Sequence, residues 1–113
     1  MKKVVVVTVG LSVFGMVVST PVQAQDGKQL YEKNCVACHG PAGKGDGPAS
    51  KAMKTKPQDF AVGAKGKSDA DLTKVLKEGV VGPEGKAGHP KMTKLSDEQL
   101  QSVIQYVKQL AAQ

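Results

Sequence analysis

The chain has 113 residues, with sixteen basic side chains against ten acidic ones and a formal charge of +6. Every basic residue is lysine, and the aromatics are two tyrosines and two phenylalanines with no tryptophan. Without guanidinium forks or aromatic platforms the chain fits nucleic acid poorly, and its length allows one small domain with a thin core.

Met1-Lys2-Lys3 gives a positive start, and an apolar run follows from Val4 to Val18. Pro21 and Val22-Gln23-Ala24 then place short residues before a cut after Ala24. The run falls short of the roughly 20 residues that a membrane span needs. The pattern predicts a secretory signal over residues 1–24 and an exported domain over residues 25–113. That domain is expected in the periplasm, with no stable membrane anchor and as a monomer.

Asp26 is placed to cap a first helix, along which Gly27, Leu30, Tyr31, Asn34, Cys35 and Cys38 recur at helical spacing. This helix leads into Cys35-Val36-Ala37-Cys38-His39. Two thiols three residues apart, with an imidazole directly after the second, form the arrangement that attaches c-type haem. On a helical turn both thiols face one side, and each can add to a vinyl group of the porphyrin. His39 then lies where its imidazole can bind the iron. A local disulfide would be strained, and a thioredoxin-like pair would need a βαβ pattern that is missing here. A zinc site of Cys35, Cys38, His39 and His89 has four ligands but lacks the locally paired histidines of a finger. Haem attachment uses all three side chains of the motif.

Residues 40–67 are rich in glycine, proline and lysine and read as loop, with one short helix near Ala49 to Lys54. A loop this long is unusual in a small domain, and it becomes sensible if it wraps a cofactor. Ser68 and Asp71 form a capping box ahead of Leu72, Val75 and Leu76, with Gly79 as the stop. Ser96 and Gln99 form a second box, followed by the stripe Leu100, Val103, Ile104, Val107, Leu110 and Ala111. No strand pattern is convincing, so the fold class is all-α, with three main helices. So thin a core predicts a poorly folded chain without haem.

These passages resemble the class I, monohaem c-type cytochromes, in particular the small bacterial periplasmic type. The resemblance rests on Cys35 to Gly40, Gly45-Asp46-Gly47-Pro48, Lys56-Pro57-Gln58-Asp59-Phe60, and Leu95 through Val107. It implies the cytochrome c fold, with long loops wrapped around one covalently attached haem c. It also implies a close crossing of the N- and C-terminal helices, with Gly27 and Tyr31 against Tyr106. By the same resemblance, the Pro48 carbonyl accepts the Nδ1–H of His39, a bond that fixes the ring.

The distal face of the iron has two candidates in Gly88-His89-Pro90-Lys91-Met92. The family usually places a methionine there, often followed by proline, six or more residues before the last helix. His89-Pro90 occupies that register, seven residues before Ser96, whereas Met92 is only four before it. The register favours His89. Met92 is the alternative ligand, or a side chain packed on the haem face, and Met53 is read as packing in the loop. Two strong axial ligands leave the iron little room for substrate. The expected function is a soluble electron carrier and not an enzyme. A carrier ligated by His39 and Met92, a sensor with a displaceable sixth ligand and a subunit of a larger respiratory complex are the alternatives. Lysines 44, 51, 54, 56, 65 and 67 make the wrapping loop basic, which suits redox partners with acidic docking faces.

Overall fold

Two capping boxes fix the starts of the two best-patterned helices. Ser68 Oγ accepts from the Asp71 N–H at 3.1 Å while Asp71 Oδ2 accepts from the Ser68 N–H at 3.3 Å. The Ser96–Gln99 pair repeats this at 3.2 and 2.9 Å. Each box satisfies two N–H groups that a helix start leaves without partners. The helices they open are α4 (Asp69–Glu78) and α5 (Asp97–Ala111).

The computed structural model describes residues 2–10, 12, 15, 22–82 and 88–113, with side chains from Asp26 onward in the first helix. Residues 16–21, which hold part of the expected signal and the approach to its cut, lie outside the described residues. The earlier elements are α1 (Val22–Asn34), α2 (Val36–His39), a 3-10 helix over Pro48–Ala52, and α3 (Phe60–Gly63). Among the described residues there is no strand, as the all-α reading requires. No helix among them is long and apolar enough to cross a membrane.

Three details differ from the sequence reading. α1 begins at Val22 and not at an Asp26 cap, because Gln23, Ala24 and Gln25 carry the helix backward without a break. The first helix stops at Asn34, where Cys35 takes φ −123° and ψ −33° and α2 restarts at Val36. The loop holds two short helical pieces, not one. Pro48 opens the first with its preset φ, and Asp59 caps α3 by accepting from the Ala61 N–H at 2.9 Å.

α1 and α5 cross to form the core. Tyr31, Leu100, Val103 and Ile104 are its fully buried large side chains. A Cβ on Gly27 would overlap the Ser102 carbonyl and touch Tyr106. Glycine is therefore required for the two backbones to meet, and the crossing expected of Gly27, Tyr31 and Tyr106 is present. The Tyr31 and Tyr106 rings lie 5.3 Å apart, centroid to centroid.

α4 is clipped to α5 by polar side chains. Lys108 Nζ donates to Asp69 Oδ1 at 2.6 Å, Gln105 Nε2 to Asp69 Oδ2 at 3.0 Å, and Gln101 Nε2 to Thr73 Oγ1 at 3.0 Å. These donors recur along one face of α5, so the clip fixes the rotation of both helices. With α4 held in this way, its apolar face of Leu72, Val75 and Leu76 is turned toward the opening between the helices.

Candidate functional site

That opening is a cleft of about 420 Å³ with a mostly apolar lining. Val103 and Ile104 of α5 line it, as do Leu72, Val75 and Leu76 of α4. Cys35, Cys38 and His39 of the motif also line it, and so do His89, Pro90 and Met92 of the segment before α5. The structure thus gathers residues some fifty positions apart in sequence. A larger groove of about 740 Å³ between α1 and α5 is lined by polar residues such as Asp26, Lys33 and Glu98, and by no thiol or imidazole.

The motif is bent into place by its own backbone. Cys35 N–H donates to the Tyr31 carbonyl at 2.8 Å, and His39 N–H donates to the Cys35 carbonyl at 2.9 Å. Both thiols are free and partly buried. Burial, and next the neighbouring Cys38, push the Cys35 thiol up to about 11, so it stays protonated at neutral pH. Burial, helped by His89, pulls the His39 imidazole down to about 4. Neutral imidazole is the form that ligates a metal.

The ring of His39 stacks on Phe60, with centroids 4.8 Å apart and planes at 30°. Phe60 also lines the cleft, a role that sequence reasoning did not assign to it. The Asp59 cap directly before it was the available signal, since it starts α3 at the residue that meets His39. His39 Nδ1 is buried with no hydrogen-bond partner, so the bond to the Pro48 carbonyl is not formed in this structure. Gly45 and Gly47 donate their N–H groups to the His39 and Cys38 carbonyls at 2.8 and 3.2 Å, which ties the loop before Pro48 to the motif.

The His89 ring lines the same cleft, with its centroid 5.9 Å from that of His39. His89 Nδ1 is 2.8 Å from the Pro90 carbonyl. A carbonyl only accepts, so Nδ1 carries the proton and Nε2 keeps its lone pair. Met92 is partly buried and anchored by its N–H to the Leu76 carbonyl at 2.7 Å. Met53, read as loop packing, is 37 % exposed and lies at the rim of the same cleft.

These residues fit a haem. The cleft is apolar and large for so small a chain, two thiols stand at one wall, and an orphaned imidazole nitrogen lies beside them. A family model for cytochrome c matches residues 24–111. The chain belongs to the cytochrome c family. It is accordingly a monohaem-type c-type cytochrome, a haem-carrying electron-transfer protein whose haem c is attached covalently.

Solved structures agree with this assignment. The cytochrome is similar to a chain of the Kuenenia stuttgartiensis reducing HAO-like protein complex Kustc0457/Kustc0458, at 30% identity and a TM-score of 0.65. That likeness covers 76% of this chain and 41% of the other, so the cytochrome spans less than half of that relative's length. It is also similar to the KustC0563 c-type cytochrome, at 25% identity and a TM-score of 0.56, over 75% of this chain and 96% of that one. No curated protein matches the chain.

Proposed function

We propose that this cytochrome is an exported single-electron carrier whose haem iron is held between His39 and His89. Cys35 and Cys38 are the proposed thioether attachments. Bound there, haem supplies a one-electron ferric–ferrous couple. The chain's own part is to fix the ligands, exclude water from the cleft and offer a face to partners.

The observation that carries the reading is the His39–His89 distance of 5.9 Å within the cleft. Two imidazoles at that separation can hold one metal ion between them, since a metal–nitrogen bond is about 2 Å long. The Pro90 carbonyl supports it further, since it leaves His89 Nε2 as the free nitrogen. Pro48 remains the proposed acceptor for His39 Nδ1 in the loaded protein, because that nitrogen has no other partner. Met92 on the same cleft wall favours the second reading, a His/Met carrier.

The sequence supports export through the signal pattern over residues 1–24 and hence a periplasmic location. Redox proteins with acidic faces are the proposed partners, met by exposed Lys44, Lys51, Lys54 and Lys65 and by Lys56 and Lys67 at the cleft rim. The structural relative found in a protein complex is consistent with such partnership.

Electrochemistry of the holoprotein tests the ligation. A thioether favours ferrous iron and raises the potential relative to a second imidazole. His89→Met is therefore expected to raise the midpoint potential, and Met92→Leu to leave it nearly unchanged. A potential that shifts with Met92→Leu and ignores His89→Met would overturn the bis-histidine reading.

A further inference from the structure

His89 sits on a short strap that is bound to the C-terminal end of α4. Val80 N–H donates to the His89 carbonyl at 2.9 Å, and Met92 N–H donates to the Leu76 carbonyl at 2.7 Å. Leu76 belongs to the last turn of α4, whose carbonyls lack partners within the helix. The strap from His89 to Met92 is thus held at both ends by backbone bonds, at Met92 to the last turn of α4 and at His89 to Val80 just beyond that helix. Pro90 stiffens it by fixing its own φ and by keeping His89 out of helical geometry.

Two glycines let this strap lie so close. A Cβ on Gly88 would overlap the Val80 carbonyl oxygen and come within 3.0 Å of Gly82 N. A Cβ on Gly79 would lie 2.7 Å from the His89 carbonyl oxygen and 3.3 Å from Lys91 N. Both obstacles are backbone, which cannot rotate away as a side-chain tip can. Gly79 also takes φ +71°, so any side chain there adds backbone strain. Gly66, at φ +80°, carries the same kind of strain with nothing within 4 Å.

We propose that Gly79 and Gly88 are positioning residues for the distal ligand. By letting the strap dock on the end of α4 and on the residues just after it, they hold the His89 imidazole over the cleft and keep the sixth position closed. This rests on the reading that His89 is the distal ligand, and it adds that the position is held by backbone contact rather than by the ligand bond alone. A side chain at either glycine lifts the strap and exposes the iron to added ligands. The result is a more displaceable ligand on an unchanged core.

The test is carbon monoxide binding to the ferrous holoprotein, followed optically, in wild type, Gly88→Ala, Gly79→Ala, Gly66→Ala and His89→Ala. A ligand that enters only when the strap is lifted binds in proportion to the lifted fraction. Gly88→Ala and Gly79→Ala are expected to bind carbon monoxide at least about tenfold faster than wild type. Gly66→Ala, the control for strain alone, is expected to match wild type. Equal rates in wild type, Gly88→Ala and Gly79→Ala, alongside a fast His89→Ala, would overturn the inference and leave the ligand assignment standing. A His89→Ala protein with an unchanged low-spin spectrum would overturn the ligand assignment itself. If Gly79→Ala yields no holoprotein, Gly88→Ala decides alone, since its backbone lies outside the strained region.

Discussion

Tyr31 donates its phenolic hydrogen to the Gly40 carbonyl at 2.6 Å. The bond joins the last turn of α1 to the residue directly after His39, inside a fully buried environment. Burial raises the Tyr31 phenol above its ordinary range, so the donor stays protonated. The ring also packs on Tyr106 at 5.3 Å and on Phe60 at 6.1 Å, and Phe60 in turn stacks on His39. A line of rings thus runs from α5 to the motif imidazole.

Tyr31→Phe keeps this line of rings and removes only the hydroxyl. The Gly40 carbonyl then keeps only the Gly43 N–H at 3.2 Å, and the lost bond costs about 0.5–1.5 kcal/mol. Chemical denaturation of the holoprotein is expected to show a lower midpoint at an unchanged slope. An unchanged midpoint would mean that the carbonyl finds water instead.

The clip between α4 and α5 predicts a dependence on acid. The Lys108 ammonium, by hydrogen bond first and then by its charge, holds the Asp69 carboxyl below its usual 3.8, with help from Gln105. A carboxyl depressed in the folded state contributes stability above its unfolded value and loses it as pH falls through the folded one. Lys108→Met is therefore expected to lower the thermal midpoint at about pH 7, and the gap from wild type to narrow below about pH 4. The pair is partly exposed, so added salt also narrows the gap. A gap independent of both pH and salt would assign the effect to packing of the lysine stem.

The basic rim predicts a dependence on ionic strength. Electron exchange with an acidic protein partner is expected to slow as salt rises, because opposite charges steer encounter. Lys56→Gln with Lys67→Gln, both at the cleft rim, is expected to slow exchange at low salt and to flatten the salt dependence. A rate insensitive to salt would remove the docking role from these lysines.

Much of this arrangement was legible in the sequence because it is written locally. Ser68 with Asp71 and Ser96 with Gln99 lie within one turn of each other, and both boxes form where the spacing predicts. Cys35, Cys38 and His39 fall within five residues, so their common place on the cleft follows from the short break at Cys35 and the one turn of α2. The Gly27 crossing was readable as well, since glycine inside a helix needs a reason and close backbone approach supplies one.

What escaped depends on distant partners. The Phe60–His39 stack needs the loop to return from residue 60 to residue 39, and no local pattern encodes that return. The break at Cys35 escaped for a similar reason, because helical spacing continues unbroken across it. The strap of His89 on Val80 and Leu76 depends on where α4 ends in space. Sequence register placed His89 ahead of Met92, while the structure brings both to one wall, so the choice rests on the 5.9 Å between imidazoles.

The most direct test of the bis-histidine site is the far-red absorption of the ferric holoprotein. With His39 and His89 on the iron, the weak sulfur-to-iron charge-transfer band is expected to be absent, in wild type and in Met92→Ala alike. A far-red band in wild type that Met92→Ala abolishes and His89→Ala preserves would contradict the account and place Met92 on the iron.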